Sequence, residues 1–251
     1  MANRAPAAVR AAALAAISHG TGSLEGQQLV QALVEHTRGR AAGHAAIAET
    51  RLGHVDVQQP DVAATVDAVE PDRPVVLVPL LLSAGYHVAV DMRQAADQAP
   101  HHTVVGEALG PDHRLAMILR ERLRQAGAVP GEDVIVLGAA GSSTPRAVTD
   151  VQDTAQLLAS LLDVDVTDSY LAFARPTVRE AVDEARRRHP KRRVVIASYL
   201  LAPGYFQKLM HQQGADLVTQ PLLCTRYGVP DVPPELPEIV LDRFHDGLAR
   251  L

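Results

Sequence analysis

Three residues in the first half of the chain, His19, Asp56 and His87, are of the types that hold a divalent metal. Two imidazoles and one carboxylate make a borderline-hard nitrogen and oxygen set suited to Fe, Co, Ni or Zn, and three protein ligands leave coordination positions open to an incoming group. Cys224 is the single cysteine of the 251 residues, which excludes a disulfide framework and a multi-cysteine site within one chain. A metal therefore falls to His, Asp or Glu. Each of the three also has a plain structural reading: a histidine near a strand end is ordinarily a hydrogen-bonded cap or a satisfied core residue, and one carboxylate there can simply accept backbone N–H groups. An internal comparison weighs for chemistry.

The chain repeats itself once. Ser18-His19-Gly20-Thr21-Gly22-Ser23 is answered by Ala139-Ala140-Gly141-Ser142-Ser143-Thr144, the segment around Pro60 by the segment around Pro176, and Pro79 to His87 by Ser198 to Phe206. Position 19 maps to 140, 60 to 176 and 85 to 204, three markers in one order at nearly one offset. The shared Gly, Pro and Tyr positions describe a scaffold. The differences are chemical: His19 becomes Ala140, Asp56 becomes Ala172 and His87 becomes Phe206. Joint loss of both histidines in the second copy favours a shared role in the first.

The elements that must position these residues follow from periodicity. Val75 to Leu82 is a continuous apolar run, and Val134 to Leu137 and Val194 to Ala197 are short runs of Val, Ile and Leu; such runs mark strands buried on both faces, as in a parallel sheet. Leu24–Thr37, Val62–Val69, Leu115–Gln125, Val148–Leu162 and Val178–Arg188 carry apolar residues at helical spacing. Ala11 to Ala16 is helical by propensity, so its reading as the first strand rests on the turn that follows. Alternating strands and helices predict an α/β fold of two homologous, doubly wound parallel-sheet lobes, residues 1–128 and 129–251, with the Gly127 to Gly131 stretch at the boundary. Ligands of open α/β sheets bind beyond the carboxyl ends of the strands, where His19, Asp56 and His87 fall. The Gly20 to Ser23 turn reads two ways, as backbone N–H groups aimed at an anion or as an ordinary helix N-cap by Ser23. The remaining histidines, His54 among them, read mostly as surface residues, with His101, His102 and His113 placed to approach the crevice.

Composition narrows the partners. A net charge of −5, an aromatic content of 3 % and basic residues in small clusters disfavour nucleic acid. No apolar run approaches the length of a membrane span. The Ala-rich N-terminus with Arg4 and Arg10 lacks the apolar core and cleavage site of a signal peptide, so the expected location is cytoplasmic.

At these residues the sequence resembles the class II chelatases, the sirohydrochlorin chelatases of siroheme and cobalamin biosynthesis, in their long two-lobed form. Their strand ending in His-Gly-Ser/Thr-Arg is matched by Ile17-Ser18-His19-Gly20-Thr21, and their Gly-x-His-x-x-x-Asp by Gly85-Tyr86-His87-Val88-Ala89-Val90-Asp91. Asp56 stands ahead of Pro60 where Glu is usual, and Ala108 to Asp112 matches a Leu-Gly-Pro turn. The chain departs at Gly22, where Arg is usual, and at Arg93, where Pro is common. The resemblance implies insertion of Fe2+ or Co2+ into sirohydrochlorin without ATP, the metal being a substrate and no cofactor permanently bound. It implies His19 and His87 at the metal, Asp56 tuning or orienting them, and Thr21, Gly22, Ser23, Ser83, Gly85, Tyr86, Arg51 and Arg93 as candidates for holding the tetrapyrrole. A monomer or homodimer is expected, the second lobe covering the cleft. Histidine phosphatases also place a His-Gly turn at a strand end, but their nucleophile follows Arg, and Ser18 precedes His19 here. A metal carrier using the same ligands is the non-enzymatic alternative. A roomy cleft favours the chelatase and a small closed site the carrier.

Overall fold

The computed structural model of the protein describes residues 11–85 and 90–251. The first half runs β1 (Ala12–Ser18), α1 (Leu24–Ala41), β2 (Ile47–His54), α2 (Val62–Asp67), β3 (Val75–Pro79), α3 (Met92–Gln98), β4 (Thr103–Val105) and α4 (His113–Gln125). The second runs β5 (Val134–Ala139), α5 (Pro145–Leu162), β6 (Val166–Tyr170), α6 (Val178–Arg188), β7 (Val194–Tyr199), α7 (Tyr205–Met210) and β8 (Leu217–Val218). A short antiparallel pair, β9 (Cys224–Arg226) and β10 (Val229–Asp231), then leads to α8 (Glu235–Leu248).

Two four-stranded sheets result, ordered β2-β1-β3-β4 and β6-β5-β7-β8. All pairings within them are parallel, as expected for two doubly wound lobes. The Ala-rich run is strand and not helix. It lies in the middle of its sheet with every residue from Ala12 to Ser18 buried, and tertiary burial overrides intrinsic helix propensity there. Strand periodicity sorts its side chains between two layers: Ala12, Leu14 and Ala16 join a core that faces the other lobe, whereas Ala13, Ala15 and Ile17 face α2 and α3. The same alternation sends Ile135 and Leu137 inward and Val136 toward α6.

The inner core is shared. It holds Leu14 and Val76 of the first sheet, Ile135 and Val195 of the second, and Leu115, Leu119, Ile239 and Phe244 from the helices between. The two sheets divide on either side of residues 128–129, but the helical layer does not. Helix α4 lies against α5 and β7, and α8 returns to lie against α1 and β3, so each half ends in a helix that covers the other half's sheet. Arg243 of α8 fastens the return by donating to the carbonyls of Ala108 and Leu109 at 2.8 and 2.9 Å. Gly247 lies so near β3 that an added Cβ would stand 2.5 Å from Val76. No helix of the described residues is long and apolar enough to cross a membrane.

Candidate active site

The carboxyl ends of β1, β3, β5 and β7 open into one cavity of about 750 Å³. Its wall is built from four turns: His19 to Gly22 after β1, Leu81 to Gly85 after β3, Ala140 to Ser143 after β5 and Leu201 to Phe206 after β7. The lining is largely apolar, with Val30, Leu80, Val151 and Leu200 at its walls. Phe173, Tyr205 and Phe206 are exposed within it, the last two in edge-to-face contact.

His19 is placed by a strand that is buried throughout and releases the chain at Ser18, so the imidazole is the first side chain past the core. Its ring Nδ1 lies 3.3 Å from the Gly20 carbonyl. Gly20 has φ +91°, and an added Cβ would stand 1.9 Å from the Asp56 carbonyl oxygen, so the turn requires glycine. Beneath it the Ser18 hydroxyl accepts the Gly20 N–H at 3.2 Å and contacts Nδ1 of His54 at 2.8 Å. His54 is therefore not a surface residue. It is 4 % exposed, and burial lowers its pKa below the ordinary value of 6.5. Of the three histidines placed near the crevice, His101, His102 and His113, none lines the cavity.

The remaining turn resolves the two readings of Gly20 to Ser23. Gln58 accepts the Thr21 N–H at 2.9 Å, Thr21 Oγ1 accepts the Ser23 N–H at 3.1 Å, and Ser23 Oγ caps α1 through the Gly26 N–H at 3.3 Å. Three of the four backbone donors from Gly20 to Ser23 are thus used internally, those of Gly20, Thr21 and Ser23. Ser23 is a helix cap, while Thr21 and Gly22 do line the cavity.

Ser83 and Gly85 line the opposite wall. Their loop is held from the second lobe: Tyr199 donates to the Leu82 carbonyl at 3.0 Å, and Asp150 accepts the Ala84 N–H at 2.7 Å. An added Cβ at Gly85 would stand 3.4 Å from Ser142 Oγ. Tyr86 and His87 lie outside the described residues.

Three of the expected site residues are elsewhere. Asp56 is exposed and turned into its own loop, Oδ1 accepting the Val57 N–H at 2.7 Å, while its N–H donates to the His19 carbonyl at 2.9 Å. It shapes the turn from behind and does not line the cavity. Arg51 sits in mid-strand opposite Ala15, three residues short of the strand end, and pairs with Glu49 at 2.7 Å. Arg93 is exposed on α3, away from the lining. Among the described residues no three His, Cys, Asp or Glu side chains are grouped to hold a metal. The sequence reading assigned no site role to His54, Asp150 or Phe173; the repeat contained a signal for the first, since His54 corresponds to the likewise buried Tyr170 in the second copy.

The sequence profile of the CbiX family matches residues 13–126 and 134–222. The chain belongs to the CbiX family. Each matched stretch holds one sheet with its strand-end turns, and the CbiX match closes at Leu222, ahead of β9, β10 and α8. A sirohydrochlorin ferrochelatase of Priestia megaterium is 29 % identical over 187 residues, which cover 70 % of this chain and 64 % of that relative. Among solved structures, SirB from Bacillus subtilis with Fe3+ superimposes at a TM-score of 0.77 with 20 % identity, covering 96 % of both chains. SirB from Bacillus subtilis subspecies spizizenii in complex with cobalt gives 0.73 with 17 % identity and the same coverage of both chains. The two-lobed CbiX fold is common to them and to this chain.

Proposed function

We propose that this CbiX-family protein is a sirohydrochlorin chelatase that inserts Fe2+ or Co2+ into the tetrapyrrole without ATP. The observation that carries the reading is the cavity. At about 750 Å³ between two lobes it falls in the range of organic ligand sites, where a water occupies only about 30 Å³ of liquid volume. A carrier of bare ions has no use for such a space. The ferrochelatase relative and the iron and cobalt in the SirB structures support the substrate and metal classes.

In this reading the metal is a substrate, held by imidazole nitrogens of His19 and His87 on one side of the ring. The apolar walls of the second lobe receive the macrocycle, and Thr21, Gly22, Ser83 and Gly85 meet its edge. Insertion replaces imidazole and water ligands by pyrrole nitrogens while two pyrrole N–H protons leave. The ion's charge lowers the pKa of those protons, and the imidazoles of His19 and His87, once released from the metal, accept one each. Asp56 contributes through the turn it shapes around His19.

The test is anaerobic absorbance with sirohydrochlorin and Fe2+ or Co2+, wild type beside His19→Ala and His87→Ala. Insertion well above the uncatalysed rate that collapses in both variants is the expected result. A folded wild type that accelerates neither metal overturns the proposal and leaves metal carriage as the reading.

A further inference from the structure

The two copies build the turn after their first strand from the same backbone parts. Gly20 and Gly141 sit at φ +91° and +92°, and an added Cβ would stand 1.9 Å from the carbonyl oxygen of Asp56 in one copy and of Ala172 in the other. The Val55 and Asp56 N–H groups donate to the Ser18 and His19 carbonyls at 2.9 Å, and those of Leu171 and Ala172 to the Ala139 and Ala140 carbonyls at 3.0 Å. The main chain needs no more than this to make the turn, since the copy with Ala140 makes it the same way.

Side chains separate the two turns. Ser18 corresponds to Ala139, His54 to Tyr170 and Gln58 to Ala174. In the first copy the Ser18 hydroxyl accepts the Gly20 N–H at 3.2 Å and gives its own proton to His54 Nδ1 at 2.8 Å, while Gln58 accepts the Thr21 N–H at 2.9 Å. In the second, alanine offers no side-chain acceptor at either place, and the Tyr170 hydroxyl donates to Asp168 at 2.7 Å. Ser18 and His54 are both 4 % exposed. Burying a polar pair carries a desolvation cost that apolar residues avoid, and this pair stands only beneath the turn that bears a histidine.

Gly20 connects the pair to that imidazole. Its N–H is held by Ser18, and its carbonyl lies 3.3 Å from His19 Nδ1. A carbonyl only accepts, so this contact favours the tautomer with its proton on Nδ1 and an unprotonated Nε2. A metal-binding histidine is commonly oriented in this way, by donating its other ring N–H to a backbone carbonyl. We propose that His54 is a positioning residue for His19, acting through the Ser18 hydroxyl on the Gly20 N–H. The inference rests on the chelatase reading in that His19 is taken as a metal ligand.

Four variants test this. Ser18→Ala installs the residue of the other copy, His54→Phe removes the acceptor, and His54→Asn keeps an oxygen for the Ser18 hydroxyl. The double variant Ser18→Ala/His54→Phe leaves neither polar group unpaired, a replacement that can be nearly neutral for folding. Each is assayed for cobalt insertion, for Co2+ affinity without tetrapyrrole, and for the visible absorption bands of bound Co2+. In the metal-free proteins, nitrogen-15 shifts of neutral His19 give the share protonated at Nδ1. Loss of such support typically costs about 10–100-fold, so kcat and Co2+ affinity should fall about 10-fold or more in Ser18→Ala and His54→Phe, with altered cobalt bands and a smaller Nδ1 share. KM for sirohydrochlorin should stay within about twofold, the double variant should be no worse than either single one because both act through one path, and His54→Asn should recover to within about threefold of wild type. Wild-type Co2+ affinity, cobalt bands and Nδ1 share in the folded double variant overturn the inference, as does His54→Asn failing as badly as His54→Phe. A folded His19→Ala protein with wild-type Co2+ affinity and insertion instead overturns the site assignment on which it rests, so the two failures are told apart.

Discussion

His54 and Ser18 meet at 2.8 Å directly beneath the turn that presents His19. The Ser18 hydroxyl accepts the Gly20 N–H and so has its own proton to give to the imidazole, which must be neutral at Nδ1 to receive it. Burial lowers the His54 pKa below 6.5 in the fold. The unfolded chain therefore takes up the proton first as pH falls. The stability that neutral His54 contributes is whole above pH 6.5, declines as pH drops through 6.5 toward the lowered folded value, and is level below it. Urea midpoints of wild type should fall across this window, and His54→Asn, which keeps an oxygen acceptor for Ser18 and cannot titrate, should lose that component. Parallel pH profiles for the two proteins would rule out the assignment.

How far the sequence reached depends on what each residue type answers to. Val75 to Val78, Val134 to Leu137 and Val194 to Ala197 were legible as strands because burial on both faces leaves a continuous apolar run. The repeat located the turn of His19 and the loop of Ser83 and Gly85, since glycine at positive φ and the strand-end contacts are backbone demands imposed on both copies. Which way the side chains of Asp56 and Arg51 point was not legible, because residue type and position do not state it: Asp56 accepts from the Val57 N–H and Arg51 pairs with Glu49. Helix α8 was missed altogether, and with it the exchange of terminal helices. Its burial partners, α1 and β3, both lie more than 150 residues away in the chain, a separation no local pattern encodes.

The two glycines beside His19 should respond oppositely. Gly20→Ala forces a Cβ into the Asp56 carbonyl at 1.9 Å and a left-handed backbone onto a residue with a side chain. A loss of about 1–3 kcal/mol in stability is expected from the backbone alone, together with collapse of metal binding as the turn moves. Gly22 has nothing within 4 Å of an added Cβ. Gly22→Arg should fold within about 0.5 kcal/mol of wild type and, by placing a guanidinium at the cavity wall, lower KM for the carboxylate-rich tetrapyrrole. Urea denaturation and initial rates measure both; a rise in KM for Gly22→Arg would count against an anionic substrate edge at this turn.

The exchanged helices predict cooperativity. Gly247→Val would drive its side chain into Val76, which is fully buried in β3, and overpacking of this kind costs about 1–3 kcal/mol. Because α8 covers the first sheet and α4 the second, the loss should not be confined to the second half of the chain. Circular dichroism and a fluorophore placed on the exposed face of α2 should report one coincident unfolding transition, shifted equally to lower urea. Two separated transitions, with the first lobe unaffected, would contradict the shared core.

Phe173 and Val57 occupy matching places in the two copies, at φ +65° and +64°. A left-handed backbone is unfavourable for both, and for β-branched Val57 especially. Both side chains are nonetheless held out at the cavity, 82 % and 60 % exposed. Strain and exposed apolar surface in the same residue are two costs that no contact among the described residues offsets. A flat apolar face laid against Phe173 would recover the second, at about 1.5–3 kcal/mol for a buried aromatic side chain. Phe173→Gly relieves the backbone and deletes the ring, so it should stabilise the protein against urea while raising KM for sirohydrochlorin about 10-fold or more, with kcat changed far less because His19 is untouched. Stability and substrate affinity would thus move in opposite directions from one substitution. An unchanged KM would mean that the macrocycle does not lie against the second lobe, and would require a different pose for the same chemistry.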